Sequence, residues 1–166
     1  MIELLIVISI IGILSSITLT PLLGVRDKAY FAKAKEELRS VDESVSFYLE
    51  DFGTYPADAN RDVPPGLEAY LAQGIWPDSA WPGSVFDWEN WPPSALSYDP
   101  KEQVYQISIR FCPLGGGIET CKFPKASWAD DFDQQSAVYY CISGPCRSHS
   151  SKPLDHPGYC VNCSDE

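Results

Sequence analysis

The opening of the chain, MIELLIVISIIGILSSITLTPLLGV, constrains it most. No charged side chain occurs from Leu4 to Val25, yet a carboxylate, Glu3, stands directly before that run. About 20 consecutive apolar residues in a helix cover the roughly 30 Å of a bilayer's hydrocarbon core. A lone carboxylate costs about 2.5–3.5 kcal/mol at the bilayer centre and less near its edge, so Glu3 requires a reason. A cleavable secretory signal starts with a basic segment and ends at a small-residue cleavage site. This run has no basic residue ahead of it and continues without a break into a second helical pattern, so it is expected to remain on the mature chain. A single-span membrane anchor is the plain reading of the hydropathy, and it leaves Glu3 unexplained.

Past Pro21 the period changes. Ala34, Leu38, Val41, Val45, Tyr48/Leu49 and Phe52 recur at steps of three and four, the stripe of a helix with one buried face. Lys33, Lys35, Glu36, Glu37, Arg39, Asp42 and Glu43 lie between them and are expected to face water, Lys33 and Glu37 at the spacing of an i,i+4 pair. Gly53, followed by Thr54-Tyr55-Pro56, is the stop signal. One helix from Met1 to Phe52 would be roughly 75–80 Å long. Pro21 should weaken it by about 3 kcal/mol and Gly12 by about 1. In a membrane helix these two residues would serve as a kink and, with Ser16, as a close-packing site.

The remaining sequence predicts one head. At 166 residues the chain has room for one ordinary domain beside the helix. The Trp- and Pro-dense stretch from Trp76 to Pro93 reads as a loop region, its rings serving a small local core, an inter-subunit contact or a carbohydrate platform. Tyr105, Ile107, Ile109 and Phe111 alternate with Gln106, Ser108 and Arg110, a half-buried strand, and Ser136–Ser143 reads as another. Gly115-Gly116-Gly117 marks a flexible connection between them. The fold class expected is α+β: a long N-terminal helix packed on a small antiparallel sheet, divided into an apolar helical segment 1–25, an amphipathic segment 26–52 and a head 53–166.

Charge and motifs narrow the function. With 23 acidic and 12 basic residues, formally −11, the soluble part is a poor match for nucleic acid. His149 and His156 sit in a Ser/Pro-rich tail without a nucleophile at a recognisable spacing, and there is no phosphate-binding glycine loop. No enzymatic activity and no cofactor are therefore expected. Asp130, Asp131 and Asp133 form a weak calcium candidate that lacks the full loop pattern, and a solvated acidic turn is the plainer reading. Asn162-Cys163-Ser164 fits the N-glycosylation triplet.

Met1-Ile2-Glu3-Leu4-Leu5-Ile6-Val7-Ile8, followed by Gly12, Pro21 and the amphipathic continuation, resembles the N-terminal segment of type IV pilins and the related type II secretion pseudopilins. In that family a prepilin peptidase cuts after a glycine, the new terminal residue is N-methylated and a glutamate stands fifth. Here the glutamate is third, which implies two residues ahead of Met1. The resemblance implies that Glu3 pairs with the N-terminal amine of a neighbouring subunit, an attraction strengthened by apolar surroundings, and that a slipped register would leave both charges unpaired. It also implies an unwound segment between Gly12 and Pro21. The stretch Phe47-Tyr48-Leu49-Glu50-Asp51-Phe52-Gly53-Thr54-Tyr55-Pro56, with Gly66-Leu67-Glu68-Ala69-Tyr70-Leu71 after it, is similar to both branches of the family and predicts a helix stop, a turn and a short second helix.

All six cysteines lie from Cys112 onward. Cys141-x4-Cys146 and Cys160-x2-Cys163 imitate a zinc ribbon loosely, but an exported chain meets an oxidising compartment, which favours disulfides. Cys112 with Cys121 closes a short loop. For the others, an antiparallel return nests Cys146 with Cys160 and Cys141 with Cys163, local pairs remaining open. The function implied is that of a major pilin: a structural subunit in the inner membrane before assembly and in a surface filament afterwards. Its partners would be other copies of itself, the prepilin peptidase and the inner-membrane assembly machinery. A type II secretion pseudopilin is the alternative within the family, and a membrane-anchored extracellular glycan-binding protein is the alternative outside it.

Overall fold

The computed structural model describes residues 2–92, 103–143, 154–156 and 159–161; for residue 2, residues 14–24 and the last two segments it describes the backbone alone. One helix, α1 (Ile2–Phe52), runs for 51 residues, about 77 Å at 1.5 Å per residue. It stops where expected: Gly53 adopts φ +71° and its N–H donates to the Leu49 carbonyl at 2.8 Å, the left-handed termination that glycine adopts without a Cβ penalty. The backbone is helical from Gly12 through Pro21. The unwound segment expected there does not occur: this backbone keeps its helical form through Pro21. Among the described residues no helix is long and apolar enough to cross a membrane; the side chains of 14–24, which complete the uncharged run, lie outside that description.

The head is built on an antiparallel sheet of β1 (Val85–Trp91), β2 (Val104–Arg110), β3 (Ala137–Ser143), β4 (Leu154–His156) and β5 (Tyr159–Val161), in the order β1-β2-β3-β5-β4. The α+β architecture is thus as expected, with two differences. First, residues 85–91 form an edge strand inside the stretch read as loop. Second, the Gly66–Leu71 element holds one short 3-10 turn, Leu67–Ala69, followed by another at Ala72–Gly74, in place of a second helix. Strand β1 pairs with β2 in the register Phe86↔Ile109, Asp87↔Ser108, Trp88↔Ile107 and Glu89↔Gln106. Because side chains alternate across a strand, Phe86, Trp88, Ile107 and Ile109 share one face and Asp87, Glu89, Gln106 and Ser108 share the other.

The apolar face packs on α1. Phe31, Ala34, Leu38, Val41 and Val45 of the helix enter one core with Phe86, Trp88, Ile107, Ile109 and Val138 of the sheet. The predicted stripe therefore holds from Ala34 to Val45, while Phe52, at its end, is exposed and only stacks on Tyr48 at 4.5 Å. Lys33 and Glu37 make the predicted ion pair at 3.2 Å. Glu37 faces water less than expected, since one of its carboxylate oxygens is buried without a hydrogen-bond partner. The tryptophans resolve toward a local core. Trp81 and Trp88 are buried, Trp81 meets Phe31 edge-on at 5.2 Å, and the Trp88 indole donates to the Pro56 carbonyl at 3.1 Å.

Candidate functional site

Two regions of the molecule carry features that folding alone does not require. The first is the free half of α1. Every large apolar residue from Leu4 to Ile13 is more than half exposed, from 51% at Ile10 to 71% at Leu4. These consecutive positions point to all sides of the helix, unlike the single stripe that packs on the head. A helix apolar all round is a helix buried by something else. Glu3 stands exposed at its start, its carboxylate making no hydrogen bond or ion pair to a described residue. Gly12 has no atom of another element near the place its Cβ would take, so among the described residues nothing uses its small size.

The second region is the polar face of the sheet, which sequence reasoning placed in water. It is buried: Gln106 and Ser108 are fully enclosed, Glu89 is 1% exposed and Arg110 is 4% exposed. Charge pairing across strands offsets the cost of that burial. From β2, Arg110 donates through Nε to Asp87 Oδ2 at 3.1 Å and through Nη2 to Glu89 Oε1 at 3.0 Å, both on β1. Its Nη1 donates to the Gln135 carbonyl at 2.7 Å and to the Tyr139 hydroxyl at 3.1 Å. Glu89 also accepts from Ser108 Oγ at 3.3 Å and from Gln106 Nε2. Burial pushes the Glu89 carboxyl up to about 8; the Arg110 charge opposes that rise and the Asp87 charge adds to it. A buried carboxylate with these donors is satisfied only while they stay in place.

Arg61 completes this region. It holds a left-handed backbone, φ +68°, unusual for a residue with a Cβ. Its N–H donates to Asp87 Oδ1 at 2.8 Å, its carbonyl accepts from the Trp76 indole at 3.2 Å, and its Nη1 donates to the Cys112 carbonyl. Its Nε is buried without a partner. Burial lowers its guanidinium pKa. Residues Asp87, Glu89 and Arg61 were missed in sequence. The available signal was the alternation of Phe86 and Trp88 with Asp87 and Glu89, which marks a two-faced strand.

The other predicted residues fall as follows. Cys112 is disulfide-bonded to Cys121, closing a sequence separation of 9. Cys141 is also disulfide-bonded; its pairing, and the side chains of Cys146, Cys160 and Cys163, lie outside the described residues, as do His149 and Asn162. For His156 the backbone of β4 is described. In the acidic cluster, Asp133 Oδ1 accepts from the Gln135 N–H at 2.9 Å and from Ser136 Oγ at 3.0 Å, a local turn, and among the described residues no group of three candidate ligands could hold a metal. No protein-family model, curated protein or solved structure matches the chain.

Proposed function

We propose that this protein is a structural subunit, a major pilin, that polymerises through α1 into a type IV pilus-like surface filament and rests in the inner membrane before assembly. One observation carries the reading: a helix whose free half is apolar on every side and is preceded by a single exposed carboxylate. Full burial of a Val, Leu or Ile side chain is favourable by about 1.5–3 kcal/mol. The eight such residues between Leu4 and Ile13, each more than half exposed in the isolated chain, therefore represent on the order of 10 kcal/mol available to helix–helix packing. Lipid would absorb the same surface, so apolarity alone supports a membrane anchor equally well.

Glu3 separates the two. In a bundle of α1 helices it meets the N-terminal amine of a neighbour, and an ion pair at 4 Å with an effective dielectric of 20 is worth about 4 kcal/mol. In lipid it meets nothing. The prepilin peptidase that exposes the amine and the inner-membrane machinery that extracts the subunit are the partners this reading requires. The test is Glu3→Gln, which keeps shape and removes charge, scored by the amount of filament shed on shearing against the amount of subunit in the membrane. The reading expects unchanged membrane subunit with filaments lost. Normal filaments from Glu3→Gln would remove the role assigned to the charge.

A further inference from the structure

Above the buried charge network opens a cavity of about 330 Å³ that belongs to neither the helix nor its packing on the sheet. Its size is near the lower end of the range of about 300–1,000 Å³ typical of small-molecule sites. Asp87, Glu89 and Arg110 line it from the sheet, Arg61 and Asp58 from the chain after the helix, and Trp91 from the end of β1. Its other side is the loop after β2 and the segment before β3, including Gln134 and Gln135.

The charges decide what can enter. Two guanidiniums, Arg61 and Arg110, make the cavity hostile to a metal ion or an amine. Two carboxylates, Asp58 and Asp87, make it equally hostile to a phosphate or a carboxylate, while Glu89, whose carboxyl burial pushes up to about 8, adds little charge near neutral pH. A neutral ligand avoids both penalties, provided it offers donors to the carboxylates and acceptors to the guanidiniums. Hydroxyl groups do both at once. The buried Arg61 Nε has no acceptor among the described residues. Arg61 is also held in place before any ligand arrives. Asp87 grips its backbone, Trp76 its carbonyl and the Cys112 carbonyl its guanidinium, and Cys112 is itself tied down by the disulfide to Cys121. Such preorganisation reduces the ordering cost of binding. Trp91, Pro113 and Leu114 add apolar surface to a mostly polar lining, of the kind that meets the C–H groups of a sugar.

We propose that this cavity is a saccharide-binding site that accepts one neutral, hydroxyl-rich ring, with Arg61 donating to its oxygens and Asp58 and Asp87 accepting from its hydroxyls. The site belongs to the head of each subunit and does not depend on assembly, so it stands or falls separately from the filament reading. On a filament it would be repeated at every subunit, and weak single-site affinity would be multiplied by avidity.

The test uses the full chain dispersed in a detergent without a sugar headgroup. Binding is followed by saturation-transfer NMR and tryptophan fluorescence against the methyl glycosides of glucose, galactose, mannose and N-acetylglucosamine. Glucuronate and glucosamine serve as the anionic and cationic probes. At least one neutral glycoside is expected to bind with Kd tighter than about 10 mM. Gln135→Trp adds bulk at an exposed side chain on the cavity edge and should weaken that binding by about tenfold or more with the thermal midpoint unchanged; Asn60→Trp is the second blocking variant. No neutral glycoside binding in that range, equal binding by both blocked variants, or tighter binding of glucuronate or glucosamine than of every neutral probe would each overturn the proposal.

Discussion

Arg110 is the residue on which the buried polar face depends, and Arg110→Met tests this directly. Methionine keeps most of the aliphatic length and removes every donor. Asp87 and Glu89, both nearly enclosed, then lose their shared cation, and the Gln135 carbonyl and Tyr139 hydroxyl lose a donor. Breaking a buried pair from one side costs about 3–5 kcal/mol. At about 2–4 °C per kcal/mol for chains of 150–250 residues, the midpoint should fall by roughly 6–20 °C, read by near-ultraviolet circular dichroism of the buried tryptophans. The loss should depend on pH. Glu89 already titrates high because of burial, up to about 8, above its ordinary value. Its folded form thus binds a proton more tightly than the unfolded chain, and its contribution is fully present below about 4.5 and declines as pH rises toward about 8. Without Arg110 the opposing cation is gone, so the carboxyl titrates higher still and the variant should suffer most at alkaline pH and least near pH 5. The double variant Glu89→Gln/Arg110→Met should recover part of the loss at pH 8. A destabilisation below about 1 kcal/mol at pH 8, in the range of an exposed pair, or one that does not change with pH, would refute the network as described.

Other substitutions follow from the same structure. Leu38→Ala empties a fully buried position between helix and sheet and should cost about 2–5 kcal/mol in denaturant titrations. Cys112→Ser with Cys121→Ser releases a nine-residue separation and should cost about 2–3 kcal/mol by the loop-closure relation, measured as a shift in thermal midpoint at constant pH. Gly53→Ala meets open space but must adopt φ +71°, so it should lose about 1 kcal/mol without altering the core; a neutral result would mean the helix ends differently.

How much of this was legible depended on the distance over which each residue acts. The end of α1 was legible because Gly53 and Pro56 act locally, and Lys33 with Glu37 because one helical turn separates them. Strands β2 and β3 announced themselves by alternation. Strand β1 did not, because prolines and tryptophans on both sides of Val85–Trp91 read as loop and masked four alternating residues. Alternation also tells which side chains share a face, but not whether the second face is covered. Arg110 finds Asp87 and Glu89 only through the β1–β2 register, a pairing some twenty residues apart in sequence that no local pattern encodes. Phe52 kept the helical spacing of the stripe, yet the head does not reach that far along α1. For the candidate sites, the apolar run and Glu3 were plain from the first line of sequence, whereas the cavity beside Arg61 required the fold.

The central claim, that α1 exists to be buried by other copies of itself, is tested most directly by electron microscopy of material sheared from cells, combined with mass spectrometry of its N-terminal peptide. The account predicts thin filaments composed of this subunit, beginning with an N-methylated residue two positions before Met1, which places Glu3 beside a neighbour's amine. Unprocessed, membrane-bound monomer with no filaments would contradict it and leave Glu3 an isolated charge at the start of a membrane anchor.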